Sequence, residues 1–242
     1  MKIKPIAAAL SACLALAGMA SVASAADIGE LVRKADGGDY TAMVEAGRYY
    51  LSNNETGRGM LYLQTVTREG GGQAAYAHAA LANYYGNLAD NSAVARDAMM
   101  FNYRRAAVLG DVNSQVRLGA LLLTDATKTK DAAKRTQDQA QAQMVLEHAS
   151  NVGQSAEAAY QLGRAFMQGI GLPRDEARGE QWLTKAAERQ HNLAAYALGL
   201  QAQHLLDLLV RHPRELRPQV VDRQVDRDQR LRAGELRHRR LP

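Results

Sequence analysis

The side chains able to do chemistry are few, and their spacing argues against most of it. Six histidines and one cysteine occur in 242 residues. A lone Cys13 excludes a thiolate zinc site, a disulfide framework and a Cys-paired redox centre. Only His78, His148 and His191 precede residue 200. They are widely spread with no acidic residue at ligand spacing, so they read as helix-surface or half-buried side chains rather than as metal ligands. No G-x-x-x-x-G-K-[ST] phosphate loop, no H-E-x-x-H and no G-x-S-x-G occurs. Gly70-Gly71-Gly72 follows a helical segment and opens no strand–helix turn, which makes it a flexible joint rather than a phosphate cradle. The expectation is a chain with no catalytic residues, no cofactor and no metal.

The elements that would position any side chain announce themselves by recurrence. A Gly closes a helical segment at Gly38, Gly70, Gly110 and Gly153, with Gln190 in the fifth place. Eight residues before the later four stand Tyr62, Asn102, Val145 and Trp182, and three before all five stand Ala35, Thr67, Ala107, Ser150 and Ala187. A second segment then opens with a column of Ala46, Leu81, Leu118, Leu162 and Leu198, followed by Gly47, Ala82, Gly119, Gly163 and Gly199. The steps in that column are 35, 37, 44 and 36 residues, so the unit is about 36 residues long. The extra length in one copy is expected in a polar loop, Thr124–Gln137.

Apolar residues within the segments recur at helical spacing, as in Ala158, Leu162 and Phe166, and alternating β-branched runs are nearly absent. A mid-helix Gly costs about 1 kcal/mol relative to Ala, so a Gly recurring in one column implies a neighbouring helix backbone close by. The Gly at each segment end suits the left-handed conformation that terminates a helix. Asp138 and Asp175 stand seven residues before Val145 and Trp182, where an N-cap is expected. One helix pair cannot bury its apolar stripe alone, so successive pairs must share their cores.

The stretch Ala158-Ala159-Tyr160-Gln161-Leu162-Gly163, followed by Gly169-Ile170-Gly171-Leu172, Asp175, Trp182-Leu183 and Ala186-Ala187, resembles the Sel-one-like repeat (SLR). That family is tetratricopeptide-related, with the motif A-x-x-x-L-G, G-x-G-V, D, W-Y/L and A-A-x-x-G. Residues around Leu118-Gly119 match moderately. The first two units match less well, with Ala46 for Leu, Ala82 for Gly and Asn102 for Trp. The resemblance covers about residues 30–200. It implies an all-α fold, an α-solenoid of antiparallel helix pairs, whose concave face binds other proteins. The family's cysteine-bridged branch is excluded, because no Cys follows Cys13.

Charge separates three parts. Residues 1–25 carry +2, residues 201–242 carry +4 and residues 26–200 carry −1, within a net +5. Lys2 and Lys4, an apolar stretch and Ala23-Ser24-Ala25 read as a signal peptide over 1–25, cut before Ala26. The expected location is periplasmic or secreted, with no transmembrane segment after its removal. Leu10-Ser11-Ala12-Cys13 resembles a lipoprotein box and keeps a lipidated Cys13 open as the lesser alternative. Residues 26–200 form the repeat region, about four repeats with half repeats at the ends. The Arg-rich tail, 201–242, contains ten Arg and no Lys. Its leucines, Leu205 to Leu209, could extend the last helix, and beyond them it reads as disordered or as a frame-shifted stretch.

With no chemistry evident, a surface remains. In paired-helix solenoids the first helix of each pair lines the concave wall. Here its positions flanking the Leu column are Glu45, Arg48, Tyr49, Asn83, Tyr84, Arg117, Gln161 and Arg164. Tyr and Arg anchor many protein contacts, although Tyr49 and Tyr84 could equally be packing residues. The leading expectation is a non-enzymatic exported adaptor that grips another protein, with no nucleic acid expected on the repeat body. Two alternatives stay open: an envelope enzyme or regulatory subunit with groove-sited activity, and a basic-tail binder of nucleic acid or anionic membrane.

Overall fold

The computed structural model describes residues 25–211, and among these every regular element is helical. The helices are α1 (Ala25–Asp36), α2 (Tyr40–Ser52), α3 (Thr56–Glu69), α4 (Ala74–Gly86), α5 (Ala93–Val108), α6 (Val112–Lys128), α7 (Ala132–Asn151), α8 (Ala156–Gln168), α9 (Glu176–Glu188) and α10 (Asn192–Arg211). The expected signal peptide with Cys13, and the tail beyond Arg211, lie outside the described residues, while residues 201–211 continue α10. No described helix is long and apolar enough to cross a membrane.

The repeated glycines set how the helices pair. A Cβ on Gly47 would lie 2.6 Å from Leu63 Cγ, and one on Gly59 would lie 2.7 Å from Leu51 Cγ. Facing residue numbers therefore rise along α2 as they fall along α3, which makes the pair antiparallel. Gly163 against Leu183 and Gly179 against Met167 give α8 and α9 the same register. Only a missing side chain lets the helices approach this closely. Gly199 departs from the column, with nothing within 4 Å of its missing Cβ.

Two compact units divide after Leu118. In the first, Val44, Leu63, Val66, Ala77 and Leu81 join α2, α3 and α4 in one core, and Ala35, Ala42, Ala46 and Tyr50 join α1 to α2. In the second, Ala159, Leu183, Ala186 and Ala194 join α8, α9 and α10. The Leu column is buried at Ala46, Leu81, Leu118 and Leu162 and half-buried at Leu198. Each core thus spans more than one pair, as stacked amphipathic hairpins require.

Four local expectations are corrected. The Thr124–Gln137 loop is mostly helix, because Thr124–Lys128 lengthen α6 and Ala132–Gln137 begin α7, leaving a short turn between them. That stretch has no Gly or Pro, and Thr124, Thr127 and Thr136 bond back to the carbonyls four residues earlier. Asp138 is consequently not an N-cap but a buried residue inside α7. Asp131 is the cap, accepting from the Ala133 and Lys134 N–H groups, whereas Asp175 caps α9 as expected. The helix-ending glycines also differ. Gly110 is left-handed at φ +92, but Gly70 has φ −77 because the chain turns at once into a 3₁₀ turn, Gly71–Gln73. The triple glycine is therefore ordered as that turn. At the Gly153 end it is Gln154 that adopts positive φ.

Candidate functional site

Two positions of each first helix, one before and two after the Leu column, lie three residues apart and so share one helical face. In the first unit that face gathers side chains from three successive first helices. Arg48 of α2, Asn83 of α4 and Arg117 of α6 line a single groove of about 250 Å³, together with Tyr76, Tyr103 and Asp111. All three gathered residues are exposed. Neither guanidinium has a hydrogen-bond or ion-pair partner among the described residues.

The groove's polar groups are held from beneath. Tyr103 of α5 is buried and donates its hydroxyl hydrogen to Asn83 Oδ1 at 2.7 Å. That bond turns the amide oxygen toward Tyr103, and the Asn83 NH₂ group has no hydrogen-bond partner among the described residues. Burial raises the Tyr103 pKa above the ordinary phenol value, with nearby Arg117 opposing, so the hydroxyl stays a donor at neutral pH. In the same lining, Asp111 Oδ2 accepts the Ser114 N–H at 2.7 Å at the start of α6. Its negative charge thus sits against the positive end of the α6 dipole.

The remaining expected residues are placed elsewhere. Glu45 is exposed one turn before Arg48. Tyr49 packs on the Ala35–Tyr50 cluster and meets the Tyr50 ring edge-on at 5.6 Å. Tyr84 is half-buried against Tyr85, edge-on at 5.5 Å. Gln161 and Arg164 belong to the second unit, where they form a different cluster. Gln161 donates to Glu157 at 2.6 Å, and the Arg164 guanidinium lies 5.8 Å from the Tyr160 ring centre. Tyr160 stacks on His191 at 4.4 Å, and His191 Nε2 meets Glu157 Oε2 at 2.8 Å.

Sequence reasoning did not find Tyr76, Tyr103, Asp111 or the His191–Glu157 contact. Tyr76 was within reach, seven residues before Asn83 on the same helix and therefore on the same side. Asp111, three residues before Ser114, carries an N-cap signal. Tyr103 and His191 meet their partners only through pairing between helices, 20 and 34 residues away in sequence. His78 is buried, its Nδ1 2.9 Å from Asn102 Oδ1, and Asn102 stands in the sequence column that holds Trp182 in the later copy. Among the described residues no group of three or more His, Cys, Asp or Glu is arranged to hold a metal ion.

Known proteins share this architecture. Residues 156–191, the α8–α9 pair, match the Sel1 repeat. A protective antigen of uropathogenic Escherichia coli strains, described as displaying an SLR fold, superposes with a TM-score of 0.55 at 23% identity, over 72% of this chain and 35% of that one. A Sel1 repeat protein from Oxalobacter formigenes superposes with a TM-score of 0.50 at 21% identity, over 72% of this chain and 48% of its own. The matched region thus spans between a third and a half of those two structures. A comparison with curated proteins gave no match.

Proposed function

We propose that this chain, a Sel1-repeat protein of the SLR fold, is an exported, non-enzymatic scaffold that holds a partner polypeptide on the exposed face of its first helices. Sel1 repeats generally mediate protein–protein interaction, and the basic, apolar, small-x-small N-terminal sequence supports export to the periplasm or beyond. One observation carries the reading: positions flanking the Leu column on three successive first helices converge on a groove, and neither arginine there has a role in holding the helices together. Side chains that serve packing are buried or paired, as Arg178 is with Glu147 and the Phe166 ring. Arg48 and Arg117 do neither.

Site-specific photo-cross-linking in the cell envelope tests this. A photoreactive residue at Tyr76, which is half exposed beside the groove, is expected to give one defined cross-linked polypeptide. The same probe at Val94 or Val108 on the second helix α5, both largely exposed, is expected to give none. Equal cross-linking from both faces, or a defined catalytic activity of the purified chain that needs no partner, would overturn the scaffold reading.

A further inference from the structure

We infer that the Arg48–Asn83–Arg117 groove reads an acidic side chain of an extended peptide segment. This inference rests on the scaffold reading and gives that site its partner chemistry. Arg33, Arg58, Arg174 and Arg178 each lie beside a glutamate, but Arg48 and Arg117 face the groove with no carboxylate partner among the described residues. In the same lining Asn83 offers two N–H donors, its oxygen being turned toward the Tyr103 hydroxyl. Two guanidiniums and an amide NH₂ form a set of donors only, and the groups that satisfy such a set are carboxylates and phosphates.

Two features choose the carboxylate on a peptide. The groove, about 250 Å³, is too small for the ligand-sized clefts of 300–1,000 Å³ and suits one side chain with its stretch of backbone. Asp111 adds one anionic acceptor to the lining. That carboxylate repels a phosphate dianion more strongly than a singly charged carboxylate, and only a peptide also brings an N–H for it beside its own acidic side chain. Three donor groups and one acceptor in the same lining thus complement an acidic residue with its own backbone amide. The ten arginines of residues 201–242 would attract any acidic probe non-specifically, so the test must resolve individual residues.

The test is titration of the full chain, followed by amide and arginine side-chain NMR, with an acetylated and amidated tetraglutamate peptide. Its tetraglutamine twin and inorganic phosphate are run in parallel. Tetraglutamate is expected to shift the Arg48, Asn83 and Arg117 signals saturably, with the glutamine twin at least about tenfold weaker and phosphate without a saturable response there. Arg48→Gln with Arg117→Gln is expected to abolish the saturable shift at Asn83 and leave the dichroism spectrum unchanged. Tyr103→Phe, which frees the Asn83 amide to rotate, is expected to weaken binding severalfold, with the weakening absent in an Asn83→Ala background. Equal response to the glutamine peptide, a phosphate response matching tetraglutamate, or no shift at these three residues would each overturn the inference. If R48Q/R117Q keeps the Tyr76 cross-link at full strength, the acidic-segment inference fails and the scaffold reading survives. Loss of the cross-link in that variant supports both.

Discussion

Gly47, Gly119 and Gly163 occupy one column, and at each a side chain would drive into a leucine of the partner helix. Gly163→Ala places Cβ 2.7 Å from Leu183 Cγ and 3.0 Å from its backbone nitrogen, so the helices must separate. A loss of about 1–3 kcal/mol is expected in denaturant unfolding, as for overpacked cores. Gly171→Ala should cost more, because its φ of +70 disfavours a side chain and the Cβ would collide with the Leu123 carbonyl. Gly199→Ala has the opposite sign: with open space around it, the better helix former should add about 0.5–1 kcal/mol. A destabilised G199A would mean that something covers that face. Tyr62 supplies a pH-dependent counterpart. Burial, reinforced by its 2.5 Å bond to Asp36, pushes its pKa up to about 12 from 10. The folded chain therefore holds this proton more tightly than the unfolded one, and the associated stability is present below pH 10 and lost as pH rises from 10 to 12. Tyr62→Phe should flatten the unfolding midpoint across that window, and an unchanged slope would count against the Asp36 contact.

At the scale of elements, pairing was legible because it rests on intervals that any helix must honour. A Leu and a small residue recurring every 36 residues or so can serve only a face presented repeatedly to the same kind of neighbour. What could not be read was where a helix stops when no Gly or Pro marks the place. Residues 124–137 are polar in composition yet carry good helix formers, and hydrophilicity alone does not make a loop. The two aspartates of α7 turn this lesson into opposite predictions. Asp131 caps two N–H groups, so Asp131→Ala should cost about 1 kcal/mol. Asp138 is buried, with Oδ2 lacking any hydrogen-bond partner, so Asp138→Ala should raise stability by about 1–2 kcal/mol by removing the unsatisfied carboxyl oxygen. Thermal unfolding of the two variants decides the matter, and a D138A variant less stable than the parent would assign that carboxylate a partner or a role. The site follows the same logic. Arg48, Asn83 and Arg117 could be picked out as neighbours of the Leu column. Tyr103 and Asp111 come from the second helix and an inter-helix turn, and only pairing in space brings them to the groove.

At the largest scale, none of the described helices holds a core of its own. Leu183 of α9 is buried against Ala159 of α8 and Ala194 of α10, and Leu63 of α3 against Ala77 and Leu81 of α4. In such an array stability is close to a sum of pair terms and nearest-neighbour terms, so damage spreads as far as the contacts that share it. Leu183→Ala removes a side chain only 3% exposed and leaves a cavity between three helices, with an expected local cost of about 2–5 kcal/mol. Native-state hydrogen exchange should show α8, α9 and α10 opening together at a lower free energy, while amides of α2, α3 and α4 keep the protection of the parent chain. The groove lies wholly in the first unit, so peptide binding at Arg48 and Arg117 should survive the same substitution. Uniform loss of protection from α1 to α10 would instead mean that the chain folds as one cooperative block, and the nearest-neighbour account would fail. Local opening with intact binding would place recognition and the Sel1-matching pair in parts of the chain that can be altered separately.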